Sequence, residues 1–432
     1  MNGLLTVSRP VFVALFLMLI VPGICRAEKL ALSVNSEAAI LINADTGAIL
    51  YEKNSHAHHY PASITKVITA IIALPQVSDK FDDMIAADQD CIGTVTEEAL
   101  RRSNYTMPAY LLIPGGSHIG IKKGEELSLK DLFYGMMLAS GDDAANIIAK
   151  YVGGTIPTFV EQMNAFVKEL GCQDTNFCNP HGLHHPKQHT SAFDMALIAR
   201  EAMKNELFRE IVSTVSYTRP KTNKQEPTLM MQGNRLLRKG PFYYSKAIGI
   251  KTGYYSLAGS TIVAAAKDGD RTLILVLLKS PDRKNLWSDS KKIFEAAFSQ
   301  PKVQRILLKK GPQKFELALA GGEQPIKTFI NEDFALEYYP AEEPKVKCLL
   351  FWDKTLQLPV AKDQRVGELS LQAENGQVWE KIPLYAQEDV KATWVSRTKN
   401  SFTNNVGSTI LKVVAVIAVV FVLGFFAIRF RR

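Results

Sequence analysis

The stretch that most restricts the fold is PASITKVITAIIAL, residues 61–74, which has helical spacing and is apolar on most of its circumference. Its apolar positions are Ile64, Val67, Ile68, Ile71, Ile72 and Leu74. A helix with one apolar stripe lies at a protein surface, whereas a helix that is apolar nearly all round is buried. The segment therefore predicts a buried helix inside a domain large enough to cover it.

Two polar side chains, Ser63 and Lys66, stand in this apolar segment. Residues three apart share a helical face, so the Lys66 amine is within reach of the Ser63 hydroxyl. Burial disfavours the charged form of a lysine and lowers its pKa, and a neutral amine can take the proton of a serine that attacks a carbonyl. The alternative is a surface serine beside a lysine whose ammonium reaches water.

The segments around this helix predict an α/β domain over residues 28–300. Residues 39–52 read as two short strands around the turn sequence DTG. Helical patterns follow, among them residues 129–138, and strands alternate with glycine-bearing turns from residue 246 to a last helix. Strands at both ends with helices between them are typical of an α/β domain.

The chain changes character after Pro301. Strand-like stretches and Asn375-Gly376, a strong hairpin signal, predict a small all-β domain over residues 303–387. Residues 388–408 are polar and are expected to form a linker close to the membrane.

The N-terminus carries an export pattern. Arg9, an apolar run and a small-residue site ending at Ala27 predict a signal peptide over residues 1–27. The run is too short to cross a bilayer comfortably. An uncleaved N-terminal anchor is the alternative.

The C-terminus carries an anchoring pattern. Residues 410–428 contain one charge, Lys412, which predicts a transmembrane helix over residues 409–429. The arginines that follow favour a cytoplasmic end. The two ends together predict an exported protein on the periplasmic face of a bacterial inner membrane, held by a single-pass C-terminal anchor.

Charge and cysteine content narrow the class of partner and the compartment. The net charge of +8 comes from basic residues spread along the chain. It suits an anionic lipid or wall polymer, and the absence of a nucleic-acid-binding motif, with the export signal, argues against nucleic acid. Cys172 and Cys178 are close enough in sequence to pair in an oxidising compartment, or they remain buried thiols.

Seven histidines in two groups raise the question of a zinc peptidase. The groups are His56, His58 and His59, and His181, His184, His185 and His189. Zinc peptidases hold their metal through spacings such as H-E-x-x-H, which this chain lacks. We therefore expect no metal and no organic cofactor, and we interpret these histidines as loop residues near the cleft or the surface.

Two further motifs follow Ser63-x-x-Lys66 in order. They are Ser140-Gly141-Asp142 in a break between predicted helices and Lys251-Thr252-Gly253 in a predicted strand. Ser-x-x-Lys, Ser-x-Asn and Lys-Thr-Gly, in that order, form the motif set of serine β-lactamases and penicillin-binding proteins.

With the phrases LFYGMMLASGDDAAN and GIKTGYYSLAGSTIVAAA, the chain resembles the D-alanyl-D-alanine carboxypeptidases among the low-molecular-mass penicillin-binding proteins. The resemblance covers nearly all of residues 28–300. It implies a β-lactamase/transpeptidase-like fold, with an antiparallel sheet flanked by helices. The β-rich C-terminal region resembles a domain that such enzymes often carry.

The resemblance also implies catalytic roles. Ser63 would be the nucleophile and Lys66 the general base. Ser140 would relay a proton to the leaving D-alanine, and Lys251 would set the electrostatics and orient Ser140. The backbone N–H groups of Ser63 and Tyr254 would form the oxyanion hole.

Further positions are implied to bind substrate. Thr252, beside Gly253, would bind the terminal carboxylate. Arg235 is a candidate for the same carboxylate, since guanidinium groups pair well with carboxylates. His181 is a further candidate because it lies in a phrase shared with the family.

Asp142 departs from the motif set, which has asparagine at that position. An asparagine amide can donate a hydrogen bond to a substrate carbonyl, and an ionised aspartate cannot. We expect Asp142 to pair instead with Lys66 or Lys251 and to hold it charged, which affects the pH profile and the fit of the substrate.

The sequence therefore predicts a serine-type D-Ala-D-Ala carboxypeptidase that acts on peptidoglycan stem peptides and that β-lactam antibiotics acylate. A D,D-endopeptidase and a β-lactamase of the same fold use the same motifs and remain alternatives. A penicillin-binding wall scaffold without catalytic activity is the alternative from another functional class.

Overall fold

The computed structural model describes residues 29–373 and 376–394. They form two compact units, a larger one of residues 29–302 and 339–342 and a smaller one made of the other described residues. The predicted signal peptide and transmembrane helix, with most of the linker, lie outside the described residues. Within the described ranges no helix is long and apolar enough to cross a membrane.

The larger unit mixes strands and helices. Its strands are β1 (Ala38–Asn43), β2 (Ile49–Lys53), β3 (Met84–Ala86), β4 (Glu126–Ser128), β5 (Ser216–Arg219), β6 (Thr228–Met231), β7 (Ala247–Tyr255), β8 (Gly259–Asp268) and β9 (Arg271–Ser280). Its helices are α1 (Lys66–Val77), α2 (Gln89–Ile92), α3 (Glu97–Arg102), α4 (Leu129–Leu138), α5 (Asp142–Gly153), α6 (Ile156–Glu169), α7 (Ala192–Ala202), α8 (Glu206–Ser213) and α9 (Arg283–Phe298).

One five-stranded antiparallel sheet organises the larger unit, in the order β2-β1-β9-β8-β7. The middle strands β8 and β9 are buried over most of their length because both faces of the sheet are covered. One apolar core contains α1, α4, α5 and α7, and the other contains α9. The strand β7 forms one edge of the sheet, which leaves its outer backbone groups without a strand partner in the described structure.

The helix predicted from PASITKVITAIIAL is present and buried, as its apolar circumference requires. A 3-10 turn over Ala62–Thr65 leads directly into α1. Nearly every residue of α1 before Pro75 is buried, including Lys66.

Helix starts follow local side-chain chemistry. The hydroxyl of Ser128 and the carboxylate of Asp131 form a capping box at α4, and Ser191 caps α7 as the sequence indicated. The sequence also suggested Asp142 or Asp143 as the cap of α5, but the N-cap is Gly141 and makes no side-chain hydrogen bond. Both aspartates lie instead in the first turn, where the helix dipole stabilises a negative charge.

The smaller unit is all-β in its described part apart from short turns. Its strands are β10 (Val303–Leu308), β11 (Gly311–Leu317), β12 (Ile326–Ile330), β13 (Phe334–Tyr338), β14 (Val346–Trp352), β15 (Arg365–Ala373) and β16 (Val378–Ala386). Five strands form one sheet in the order β11-β12-β16-β15-β14, and β10 pairs with β13. This confirms the predicted α/β domain with a separate C-terminal β domain. Cys172 and Cys178 of the larger unit are free thiols.

Candidate active site

Ser63 lies in a strained turn at the start of the buried helix. The preceding residue, Ala62, has φ of +52°, a region that residues other than glycine seldom occupy. Two hydroxyls hold this turn: Thr261 on β8 donates to the Pro61 carbonyl at 3.0 Å, and Thr65 donates to the Ala62 carbonyl at 2.9 Å. The position of the serine is therefore fixed by the sheet as well as by its own helix.

Two glycines allow the chain to approach this turn closely. A Cβ at Gly182 would lie 2.0 Å from the Ala62 carbonyl oxygen, and a Cβ at Gly253 would lie 2.7 Å from the Ser63 nitrogen. Gly182 also has φ of +98°. Side chains at either position would displace the backbone of the serine.

Lys66 is fully buried and faces three hydrogen-bond acceptors. Its Nζ lies 3.0 Å from Ser63 Oγ, 2.6 Å from Asp142 Oδ1 and 2.7 Å from the His181 carbonyl oxygen. An ammonium has three N–H donors and a neutral amine has two, so this arrangement fits the charged form. Burial lowers the pKa of Lys66, and the charge and hydrogen bond of Asp142 oppose that change.

Asp142 is buried at the first position of α5, where its own N–H donates to the Ser117 carbonyl at 2.7 Å. Its carboxylate pairs with Lys66. The neighbouring carboxylate of Asp143 accepts from the backbone N–H groups of Ile119 and Ile121. Of the two partners considered for Asp142, the structure thus selects Lys66 over Lys251.

Ser140 and Lys251 complete the motif set on the other side of Ser63. Ser140 has φ of +65° in the connection between α4 and α5. Lys251, in the middle of β7, is buried and donates to the Thr252 carbonyl at 3.0 Å. Burial, and then the charge of Lys66, lowers the pKa of Lys251 to about 7.

A cavity of about 270 Å³ brings most of the predicted residues together. Its lining contains Ser63, Ser140, Lys251, Thr252, Gly253, Tyr254 and Arg235, together with residues that the sequence did not single out, among them Ser260, Arg283 and Trp287. This lining holds two guanidinium groups and the amine of Lys251, and it holds no carboxylate. Such a cavity favours a ligand with a negative charge.

Two of the unpredicted residues add polar character. The guanidinium of Arg283, on α9, lies 5.4 Å from the centre of the Tyr254 ring. The hydroxyl of Ser260 is buried and forms no hydrogen bond within the described residues. Neither residue lies in a motif, so no signal in the sequence identifies them. They reach the cavity only through the fold, because β8 pairs with β7 and α9 packs on β8 and β9.

His181 lies beside the site, but its ring does not line this cavity. The ring is fully buried, with Nε2 3.2 Å from the Tyr110 carbonyl oxygen and Nδ1 accepting from the Leu183 N–H at 3.1 Å. These contacts place the proton on Nε2. Burial lowers the pKa of His181 to about 4, so the ring is neutral, and the contribution of this residue is its backbone carbonyl, which binds Lys66.

The remaining histidines do not form a metal centre in the described part of the chain. No group of three or more histidine, cysteine, aspartate or glutamate side chains there is arranged to hold a metal ion. His56 instead contacts Asp174 at 2.9 Å, and the rings of His58 and His189 stack at 4.5 Å.

The family described as D-alanyl-D-alanine carboxypeptidase matches residues 25–282. The domain described as penicillin-binding protein 5, C-terminal domain, matches residues 304–392. These two matches correspond to the α/β part and the β part of the chain.

Individual proteins give the same result. The D-alanyl-D-alanine carboxypeptidase DacF of Bacillus subtilis is 30% identical over 390 residues, which cover 86% of this chain and 91% of the relative. DacD of Salmonella typhimurium is 31% identical and covers 78% of this chain and 82% of its own length. The structure of penicillin-binding protein 5 from Haemophilus influenzae aligns with a TM-score of 0.57 at 27% identity, over 84% of this chain and 100% of that one.

These similarities extend over both parts of the chain. They confirm the resemblance seen in the sequence. The chain belongs to the D-alanyl-D-alanine carboxypeptidase family of serine peptidases and carries the C-terminal domain of penicillin-binding protein 5.

Proposed function

We propose that this protein removes the terminal D-alanine from peptidoglycan stem peptides that end in D-Ala-D-Ala, through an acyl-enzyme on Ser63. The observation that carries the proposal is the pairing of a nucleophile with a cavity for a charged chain end. Ser63 contacts Lys66 at 3.0 Å and opens on a lining with two guanidinium groups, the amine of Lys251 and no carboxylate. A carboxypeptidase must recognise a free terminal carboxylate next to the bond that it cleaves.

The first half of the reaction forms an ester. Lys66 passes one proton to Asp142 and becomes a neutral amine. Ser63 Oγ then attacks the carbonyl carbon of the penultimate D-alanine while its proton moves to Lys66. The N–H groups of Ser63 and Tyr254 bind the oxyanion, and each such donor typically contributes ~3 kcal/mol to the transition state.

The second half releases both products. The C–N bond breaks as the departing amine takes a proton from the Ser140 hydroxyl, which regains one from Lys66. Water then gives a proton to Lys66 and attacks the ester, and Ser63 recovers its hydrogen as the shortened peptide leaves. Lys251 stabilises the negative charge that develops beside Ser140, and Asp142 returns its proton to Lys66 at the end.

The terminal carboxylate has a defined place in this proposal. Thr252 offers a hydroxyl and Arg235 a guanidinium to the cavity, and Gly233 leaves room beside the Thr252 hydroxyl. Arg283 adds a second guanidinium. Two guanidinium groups without a carboxylate partner in the described residues suit an anionic chain end.

One related activity has a specific observation in its favour. A structure of a Streptomyces DD-transpeptidase aligns with a TM-score of 0.53 at 28% identity, over 62% of this chain and 99% of that one. A transpeptidase forms the same acyl-enzyme and passes it to an amine instead of water. The cavity geometry applies to both reactions up to the ester.

The predicted signal peptide and transmembrane helix complete the proposal. We place the mature chain outside a bacterial inner membrane, with residues 1–27 removed and residues 409–429 spanning the bilayer. Both assignments come from the sequence patterns at the two ends. The proposed site needs no metal or organic cofactor.

The proposal predicts one covalent adduct and one product. After exposure to a β-lactam, intact-mass analysis should show a single adduct on the peptide that contains Ser63, and Ser63→Ala should abolish it. Incubation with a pentapeptide ending in D-Ala-D-Ala should release D-alanine, penicillin should stop that release, and a chelator should not.

The same assay separates the alternatives. Release of D-alanine by Ser63→Ala would overturn the mechanism. Adduct formation without release from any peptide would favour the penicillin-binding scaffold. Transfer to added glycine would identify a transpeptidase, cleavage of cross-linked peptides an endopeptidase, and rapid loss of the adduct with hydrolysed antibiotic a β-lactamase.

A further inference from the structure

Helix α5 carries a second buried polar side chain on the side that holds Asp142. Asn146 follows Asp142 by four residues, so the two side chains share one side of the helix. Asp142 contacts Lys66 directly. Asn146 lies one turn further along and is fully buried, and the proposed reaction does not use it.

The amide of Asn146 joins two other segments of the chain to α5. Its Nδ2 donates to the Cys91 carbonyl at 3.0 Å and to the Tyr110 carbonyl at 2.9 Å. Its Oδ1 is buried and accepts no hydrogen bond within the described residues. A buried acceptor without a partner is destabilising, so the contribution of this side chain to the fold is its pair of donors.

The Tyr110 carbonyl links Asn146 to His181. It accepts from the Asn146 amide, and it also lies 3.2 Å from Nε2 of the His181 ring. A carbonyl oxygen has two lone pairs and can accept both hydrogen bonds. The ring carries its proton on Nε2, because Nδ1 accepts from the Leu183 N–H. The His181 ring is therefore anchored to a carbonyl that Asn146 holds on α5.

The peptide between His181 and Gly182 extends this path to the general base. Its carbonyl oxygen accepts from Lys66 Nζ at 2.7 Å. Its N–H donates to Asn179 Oδ1 at 2.7 Å, which holds the peptide to its own turn. The anchored ring holds His181 to α5 as well. The acceptor of Lys66 is thus fixed relative to the helix that also carries Asp142.

We propose that Asn146 is a positioning residue for the general base of the proposed reaction. Through the Tyr110 carbonyl and the His181 ring, it sets the place of one of the three acceptors around Lys66. Asp142 is another of these acceptors, so two side chains one turn apart on α5 position the same amine. The inference rests on the proposed function, in which Lys66 is the general base.

The variant Asn146→Leu removes both donors and keeps most of the volume. If the His181 carbonyl shifts, Lys66 Nζ follows it and its 3.0 Å contact with Ser63 Oγ lengthens. We expect the first-order rate constant of acylation by a fluorescent penicillin to fall about tenfold, less than the roughly hundredfold loss from a misplacement near 1 Å. The dissociation constant of the complex before acylation should stay unchanged, because Asn146 and His181 are not among the lining residues of the cavity.

A second variant tests the path itself. His181→Phe keeps a ring and removes the Nε2 donor, so it should lower the rate constant to a similar extent. The double variant that combines Asn146→Leu with His181→Phe should be about as slow as the slower single variant, because changes along one path do not add. Independent effects would instead multiply to about a hundredfold.

Tyr217→Phe controls for the loss of a hydrogen bond alone. The Tyr217 hydroxyl donates to Asp131 at 2.7 Å in the same unit, and its removal should leave the acylation rate constant unchanged. The rate constant is taken from the molecules that form the adduct, so unfolded molecules do not lower it. Should Asn146→Leu form no adduct, Asn146→Ala, which adds no apolar bulk, carries the same expectation.

Three results would overturn the proposal. They are a rate constant in the Asn146 variants equal to that of the parent, full multiplication of the two single effects in the double variant, and an equal loss of rate in Tyr217→Phe. If the parent formed no adduct, or if Ser63→Ala still formed one, the proposed function itself would fail. An adduct on Ser63 that forms at the same rate without Asn146 removes only this inference, so the two failures are distinguishable.

Discussion

At the scale of single residues, a 2.6 Å contact joins Lys66 Nζ to Asp142 Oδ1, and both side chains are buried. Two opposite effects act on Lys66. Burial favours the neutral amine, whereas the carboxylate favours the ammonium. The lysine becomes a base only when a proton leaves it, and Asp142 is the acceptor in contact.

We predict that penicillin still acylates the Asp142→Asn variant but that the rate of acylation depends on pH differently. Loss of the carboxylate removes the interaction that holds Lys66 charged, so its pKa falls and the neutral amine persists at lower pH. The acid limb of the acylation rate should move to lower pH. Stopped-flow measurement with a fluorescent penicillin from acidic to alkaline pH checks this.

The other titratable groups around Lys66 stay in place in this variant: Lys251, Asp143 and His181, whose ring is neutral. Asp143→Asn is the neighbouring control, since Asp143 does not contact Lys66 and should move the limb less. An acid limb that stays where it is in Asp142→Asn, or acylation lost at every pH, would contradict the prediction.

The residues of the site differ in how far sequence identifies them. Ser63, Lys66, Ser140 and Lys251 stand in ordered motifs, and the structure brings all four around one cavity edge or its buried wall. The sequence offers two lysines, Lys66 and Lys251, as the partner of Asp142, and only the fold shows that the partner is Lys66. His181 was identified by its phrase, yet the carbonyl of this residue, which no side-chain pattern reports, makes the contact.

At the scale of elements, the turn of Ala62–Thr65 is held between β8 and the segment around Gly182. Its conformation is not the best available to its own residues, because Ala62 adopts a positive φ. The surrounding contacts impose it, as is common for strained backbone at functional sites.

Gly182→Ala should therefore slow acylation strongly. The new methyl would lie 2.0 Å from the Ala62 carbonyl oxygen, so the turn that carries Ser63 must move. We expect a loss of at least about a hundredfold in the rate of penicillin acylation, the cost of a misplacement near 1 Å.

The chain offers a matched control in Gly171. It also has a positive φ, +83°, but a Cβ there meets nothing within 4 Å. Gly171→Ala should cost ~1 kcal/mol of folding free energy through backbone strain and leave the acylation rate unchanged. Equal rates for the two variants at a temperature where both are folded would show that the close approach at Gly182 does not position the serine.

Helices and strands were predicted well where the pattern is local. The apolar run of α1 and the bounds of α4 follow from side-chain periodicity and a capping box. The sequence did not predict the 3-10 turn before α1, because Thr261 and Gly182, which are distant in sequence, hold that turn. It did not predict the glycine cap of α5 either, because the Asp143 carboxylate binds the N–H groups of Ile119 and Ile121 instead of capping the helix.

At the scale of the molecule, the larger unit is not one continuous stretch of chain. Residues 339–342 belong to it although they follow residues 303–338 of the smaller unit. Through this segment Glu342 pairs with the buried Arg271 and accepts from Asn43 at 3.0 Å, and the Arg271 guanidinium lies 3.8 Å from the centre of the Tyr339 ring.

We predict that Glu342→Gln destabilises the larger unit. The substitution leaves the Arg271 charge buried without its counter-ion, and loss of one partner of a buried pair costs ~3 kcal/mol. The midpoint of thermal unfolding, measured through the loss of binding of a labelled penicillin, should shift to a clearly lower temperature.

Glu343 supplies the control, because it pairs with Arg305 in the smaller unit and both side chains are partly exposed. In Glu343→Gln, penicillin binding should be lost at the same temperature as in the parent protein. Equal behaviour of the two variants would mean that residues 339–342 contribute nothing to the stability of the penicillin-binding part.

The cationic lining of the active-site cavity has a consequence for the cell wall itself. Lys251, Arg235 and Arg283 meet no opposing charge in that lining, so a bound chain end must supply it. A stem peptide whose last carboxylate was capped as an amide would bring none. Amidation of that single group would shield wall precursors from trimming with no change to the enzyme.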